Sequence, residues 1–117
     1  MNKLNLTIDV ENEHDIKHVQ ITGEIDVYTA STLKEKLIPL TEKKGQIVKV
    51  NLENTTHLDS TGLGVFIHAY KSSEEHESTL QLVHAQDRIL RLFKVTGLHK
   101  IMDISTDEEE REERNNG

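Results

Sequence analysis

Seven residues, Leu58-Asp-Ser-Thr-Gly-Leu-Gly64, gather the groups in this chain that could do chemistry. They combine a carboxylate (Asp59), two hydroxyls (Ser60 and Thr61) and two glycines (Gly62 and Gly64), with His57 just upstream. A buried strand and a polar loop precede them and a helical pattern opens at Ser60, so the hydroxyls stand at a helix N-terminus. There the unpaired backbone N–H groups and the positive end of the helix dipole favour negative charge. Asp59, Ser60 or Thr61 could each supply the capping oxygen. Each glycine costs a helix about 1 kcal/mol relative to Ala, and two in one turn ask for a reason. Either the missing side chains let a partner or a phosphate approach the backbone beside a clear hydroxyl, or they let the helix pack tightly on a sheet. Residue types alone leave both open.

Enzymatic readings of the same turn fail on detail. A nucleophile elbow needs Gly-x-Ser-x-Gly, and Leu58 holds the first glycine position. A P-loop needs a Gly-Lys pair, which the chain lacks, and a dinucleotide fingerprint needs three spaced glycines where only two stand here. His57 and Asp59 could in principle serve Ser60 as an acid/base pair, which would make a small serine hydrolase with His57 as base. His14 and His18 are four apart, but in a strand-and-turn region rather than on a helix, and HExxH is absent. No metal or cofactor is expected.

The elements that must position this turn follow from changes of hydrophobic period. Leu4, Leu6, Ile8 and Val10 alternate with polar residues, as do Val19, Ile21 and, after Gly23, Ile25: two half-buried strands. From Thr29 to Leu40 an amphipathic helix carries Leu33, Leu37 and Leu40 on one face, with Thr32 and Glu35 as a capping box, Pro39 loosening its last turn and Gly45 as a stop. Ile47–Leu52 reads as a buried strand, followed by a polar loop, Glu53–His57. The helix from Ser60 aligns Leu63, Phe66, Ile67 and Tyr70, and its far end, Ser72–Ser78, is polar all round and expected at the surface. Strand Thr79–Val83 follows, then a helix Asp87–Thr96, capped by Asp87 or Gln86, that buries Ile89, Leu92 and Phe93 and ends at Gly97. Ile101–Ile104 is a last short strand. The order ββαβαβαβ predicts an α/β fold: a mixed, mostly parallel sheet with helices packed on it and an antiparallel pair at the start.

Composition narrows the function classes. The 117 residues fit one compact domain. With 14 Lys and Arg against 21 Asp and Glu, the formal charge is −7, which opposes the counterion release that drives nucleic-acid binding. There is no cysteine, hence no thiolate nucleophile or disulfide framework. No stretch approaches the ~18–20 apolar residues of a membrane span or the apolar core of a signal peptide, so the expectation is a soluble cytoplasmic protein, and the glycosylation patterns at Asn5 and Asn54 read as chance. Charge is uneven: residues 107–117 hold six acidic and two basic residues, a net −4, and no apolar one. The expectation is a folded domain over 1–106 and an acidic, solvated tail over 107–117.

Three blocks together resemble a known family. Gly23-Glu-Ile-Asp-Val27, then Val50-Asn-Leu-Glu with Leu58-Asp-Ser-Thr-Gly-Leu-Gly64, then Asp87-Arg-Ile-Leu-Arg-Leu-Phe-Lys-Val-Thr-Gly-Leu98, are similar to STAS domains of the anti-sigma factor antagonist group. Within it the likeness is to the anti-sigma-B branch, the anti-anti-sigma factors of the Gram-positive general stress response. The match spans about residues 3–105 and leaves the acidic segment outside.

The resemblance implies a binding module rather than an enzyme. It implies that Ser60 is phosphorylated by the anti-sigma factor, itself a serine kinase, and that a PP2C-type phosphatase restores the active form. The unphosphorylated protein then holds the anti-sigma factor and frees the sigma factor for transcription. Asp26, Asp59, Thr61, Gly62, Leu63 and Gly64 fall at the partner-facing positions. Thr61, Thr55 and Thr56 are the competing hydroxyls for the phosphate. A STAS scaffold or stressosome component, never cycled by a kinase, is the other regulatory reading.

Overall fold

The computed structural model describes residues 5–106. The reading of 107–117 as a tail, and Leu4 in the first strand, lie outside the described residues. Five strands form one sheet in the order β1-β2-β3-β4-β5, which is also their order in the chain. They are β1 Leu6–Glu13, β2 Ile16–Ile25, β3 Ile47–Leu58, β4 Thr79–Val83 and β5 Asp103–Ile104. Strand β1 pairs antiparallel with β2, and the other neighbours are parallel. Three helices, α1 Ala30–Leu37, α2 Ser60–His76 and α3 Asp87–Val95, make the crossovers.

Because parallel strands add in one direction, the right-handed crossover rule puts all three helices on one face. Burial agrees. Val19, Ile21 and Ile25 of β2, Val48, Val50 and Leu52 of β3, and Leu80 and Leu82 of β4 are buried against Leu33, Leu37, Phe66 and Phe93. The alternate residues, among them Gln20, Lys49, Asn51 and Gln81, form a polar face that is only partly covered. Phe66 of α2 meets Phe93 of α3 with ring centroids 6.3 Å apart, in a tilted arrangement that suits two aromatic quadrupoles.

Five expectations need correction. The segment Glu53–His57 is not a loop: β3 runs through it to Leu58 and stays paired with β2, with register shifts at Gln20/Thr22 and Gly23/Glu24. Thr55 is fully buried there and donates its hydroxyl to the Ile21 carbonyl at 3.0 Å, so a polar residue occupies a core position without an unmet hydrogen bond. The box at Thr32 and Glu35 does not form, because α1 starts three residues before it would, with Thr29 at the N-cap position. Ser72 and Ser73 do not surface but are buried, Ser72 accepting at 2.7 Å from the Thr41 hydroxyl. The third helix stops at Val95, and the last strand is only Asp103–Ile104. Pro39 acts as expected: α1 ends at Leu37 and the chain tightens into a 3₁₀ turn, Ile38–Glu42.

Gly23 holds a backbone that no other residue could. Its φ is +116°, and a Cβ there would lie 2.1 Å from the Asn5 carbonyl oxygen, which accepts from the Glu24 N–H at 2.7 Å. This close crossing aims the end of β2 toward the next turn.

Candidate functional site

Parallel α/β sheets offer their sites beyond the carboxyl ends of the strands, where helix N-termini converge. Here β2 and β3, adjacent in the sheet, end at Ile25 and Leu58, and each delivers the chain to a helix start. The turn after β2 is built by Asp26. Its Oδ1 accepts from the N–H groups of Tyr28 (2.9 Å) and Thr29 (3.1 Å), while its carbonyl accepts from the Ala30 N–H at 2.9 Å. Thr29, buried, accepts from the Asp26 N–H at 2.9 Å and donates to the Glu24 carbonyl at 2.8 Å. A short carboxylate thus replaces the side-chain cap that Thr29 does not provide.

Asp59 performs the matching task on α2. Its backbone is extended (φ −104°, ψ −174°), and its Oδ1 accepts from the Gly62 N–H at 3.0 Å. Of the three residues that could cap, the structure uses this one. Its own N–H donates to the Ile25 carbonyl at 3.2 Å. The two carboxylate turns therefore start from neighbouring points, and each spends one oxygen on backbone donors.

The two glycines serve different ends. A Cβ on Gly62 would stand 2.5 Å from Ile25 Cγ2, 2.7 Å from the Ile25 carbonyl oxygen and 2.7 Å from Leu58 Cδ1. Tight packing of helix on strand ends accounts for Gly62. A Cβ on Gly64 would meet nothing within 4 Å, and the residue is exposed. Of the residues singled out in the sequence, Ser60, Thr61 and Gly64 face outward, Asp26 and Asp59 are half-buried, and Gly62 and Leu63 face inward, Leu63 into the core.

Ser60 is the first residue of α2, exposed, and its hydroxyl has no hydrogen-bond partner among the described residues. His57 is exposed on β3 and, among the described residues, bonds neither Asp59 nor Ser60, so no dyad is assembled. His14 sits in the β1–β2 turn with φ +55°, while His18 contacts Glu13 at 2.7 Å, so the histidine pair is not joined. Among the described residues no group of three or more His, Asp or Glu could hold a metal, and no helix is long and apolar enough to cross a membrane.

Sequence reasoning passed over two residues beside Asp26. Val27 is 63% exposed and Tyr28 is 78% exposed. The signal was present: an apolar and an aromatic residue placed inside a turn, where a solvated loop would carry polar ones. Between α1 and α2 runs an open groove of about 360 Å³, lined by Val27, Ala30 and Lys34 on one side and Thr61, Gly64 and His68 on the other.

The STAS-domain model matches residues 7–111. The chain belongs to the STAS family. This STAS domain is 45% identical over 107 residues to the anti-sigma-B factor antagonist of Bacillus subtilis, covering 91% of this chain and 96% of the relative. It is 41% identical over 109 residues to the anti-sigma-B factor antagonist of Listeria monocytogenes, covering 92% and 95%. An anti-sigma factor antagonist from Mycobacterium paratuberculosis shares the fold, with a TM-score of 0.78 at 23% identity, covering 90% of this chain and 89% of that one. The five-stranded, mostly parallel sheet and the ββαβαβαβ order are thus those of the STAS fold.

Proposed function

We propose that this STAS domain is an anti-anti-sigma factor whose hold on its partner is switched by phosphorylation of Ser60. The relatives named anti-sigma-B factor antagonist support the regulatory role. The observation that carries the switch is the setting of Ser60: an exposed hydroxyl without an internal partner, on the first residue of α2, directly after the capping carboxylate of Asp59. A kinase can reach such a group without unfolding anything.

In this reading the unphosphorylated domain binds an anti-sigma factor that is also a serine kinase, and the sigma factor is released. Asp26, Asp59, Ser60, Thr61 and Gly64 form the outward part of the contact, and Gly62 and Leu63 fix its shape from behind. Phosphate adds about −1.5 to −2 charges. The helix N-terminus tolerates them, so the fold persists. Against a partner, the dianion would be desolvated beside two carboxylates. A hundredfold loss of affinity needs only about 2.7 kcal/mol, within the cost of one poorly accommodated buried charge. A PP2C-type phosphatase resets the protein, which works in the cytoplasm without catalysis of its own and without touching nucleic acid.

The test compares wild type, Ser60→Ala and Ser60→Asp as baits in a bacterial lysate. Wild type and Ser60→Ala should recover an ATP-binding kinase, and Ser60→Asp should lose it while its far-UV circular dichroism stays unchanged. Recovery by all three would refute the switch. Peptide mass spectrometry after incubation with that kinase and ATP should place the phosphate on Ser60. Label on Thr61, Thr55 or Thr56 would move the site.

A further inference from the structure

Three of the five large apolar side chains that stand exposed have no place in the proposed contact: Val10 is 38% exposed, Val95 77% and Ile101 57%. Each sits among charges of one sign. Val10 lies on β1 within residues 9–15, which hold four exposed carboxylates, Asp9, Glu11, Glu13 and Asp15, and no Lys or Arg. Val95 ends α3, whose solvent side carries Arg88, Arg91 and Lys94, and Ile101 directly follows Lys100. Asp87 is the one carboxylate in residues 86–101. Asp9, Glu11, Arg88, Arg91 and Lys94 enter no ion pair among the described residues. The two surfaces lie far apart in the fold: β1 is one edge of the sheet, and α3 joins β4 to β5 at the other edge.

We propose that the α3 side of one copy docks on the β1 side of the next, so that the chain self-associates head to tail. Both halves of the contact are present on this chain, and the sheet between them keeps them apart within one copy. The complementarity is double: cations with Val95 and Ile101 on one surface, carboxylates with Val10 on the other. Asp9 and Glu11 stand about 7 Å apart along the strand, Arg88 and Arg91 about 4.5 Å apart along the helix axis, and the flexible arginine stems cover the difference. Side chains alternate on β1, with Asp9 and Glu11 opposite Gln20 and His18 and Val10 opposite Val19. A copy that meets this edge touches both kinds of group. Such a contact is heterologous, and it gives rings or open rows rather than a symmetric pair. The formal charge of −7 on each copy opposes association at long range, and exposed ion pairs are individually weak, so rows form only at high protein concentration. Ser60 follows β3, the middle strand, and stays uncovered in a row, so self-association and the switch at Ser60 are separate.

Sedimentation equilibrium on the full chain tests this. At about 0.1 M salt the Debye length of about 10 Å screens the net repulsion but not pairs in contact. There the weight-average mass should grow with concentration into the millimolar range and show no plateau at the dimer. At about 1 M salt, with a Debye length of about 3 Å, it should fall back toward the monomer. Asp9→Lys/Glu11→Lys alone and Arg88→Glu/Arg91→Glu alone should each stay monomeric. All four changes in one chain restore opposite charges across the contact, and with them the wild-type formal charge, and should restore the growth in mass. Val95→Ser/Ile101→Ser should weaken it, and decides the matter if a charge-reversed chain loses the wild-type far-UV circular dichroism. No growth for the wild type, a plateau at the dimer, growth that either reversal leaves in place, or a folded four-fold variant that stays monomeric would overturn the proposal.

Discussion

The backbone N–H of Asp59 donates to the carbonyl of Ile25 at 3.2 Å. Through this bond the residue that caps α2 is tied to the residue that precedes Asp26, so the two carboxylate turns share one anchor at the ends of β2 and β3. Gly62 presses against the same Ile25.

Because Asp59 supplies the cap and Ser60 does not, their truncations should separate. Asp59→Ala should cost about 1 kcal/mol, while Asp59→Asn keeps an acceptor for the Gly62 N–H and should cost much less. Ser60→Ala should leave stability unchanged, since its hydroxyl has no internal partner. Urea unfolding of the three variants checks this. A loss with Ser60→Ala equal to that with Asp59→Ala would show that the cap is misassigned.

The glycines should respond with opposite signs. At Gly62 the added methyl collides with Ile25 and Leu58, and overpacking of this kind costs about 1–3 kcal/mol, more than the gain of about 1 kcal/mol in helix propensity. At Gly64 the space is open, so Gly64→Ala should keep the propensity gain and raise Tm by about 4 °C. Thermal melts of both variants decide it. In the proposed complex, Gly64→Ala should also weaken partner binding, pairing higher stability with lower affinity.

Val27 and Tyr28 present apolar surface beside Asp26 at no benefit to the core. Tyr is prominent among residues that dominate binding energy. In the proposed complex, replacing each by Ser should leave the melting curve in place and reduce affinity for the anti-sigma factor at least tenfold, about 1.4 kcal/mol. Isothermal titration with the purified partner measures it. Unchanged affinity would place the contact elsewhere.

Thr41 and Ser72 share a buried bond, and the Ser72 carbonyl also meets the His76 ring Nδ1 at 2.8 Å. Thr41→Val leaves the Ser72 hydroxyl short of a donor and should cost about 1–3 kcal/mol. The double variant Thr41→Val/Ser72→Ala should cost less than the two single changes added together. A strictly additive cycle in urea would mean that the hydroxyls do not act as a pair.

Much of this was legible because it rests on local period. The alternation of Val19 and Ile21 and the helical spacing of Leu63, Phe66 and Tyr70 report which face meets the core. The outer half of β3 was hidden because Glu53, Asn54, Thr56 and His57 are exposed and Thr55, the buried residue among them, is polar. Its partner, the Ile21 carbonyl, lies on another strand. The same holds for Ser72, which is inside only because Thr41, 31 residues earlier, returns to meet it. The cap of α1 was misread, as a box at Thr32 and Glu35, because its capping oxygen belongs to Asp26, three residues before the N-cap position Thr29. Ser60 and the helix start were readable, since Asp-Ser-Thr before an apolar spacing is a local signal. The distinction between Gly62 and Gly64 was not, for it depends on where Ile25 lies.

The contact of Gly62 with Ile25 also bears on time. A first helical turn packed closely onto a strand end and bonded to it through Asp59 resists rearrangement. Under the proposed function, a change of partner then leaves this turn in place, and its pace is set by dissociation of the old complex and by the reactions at Ser60.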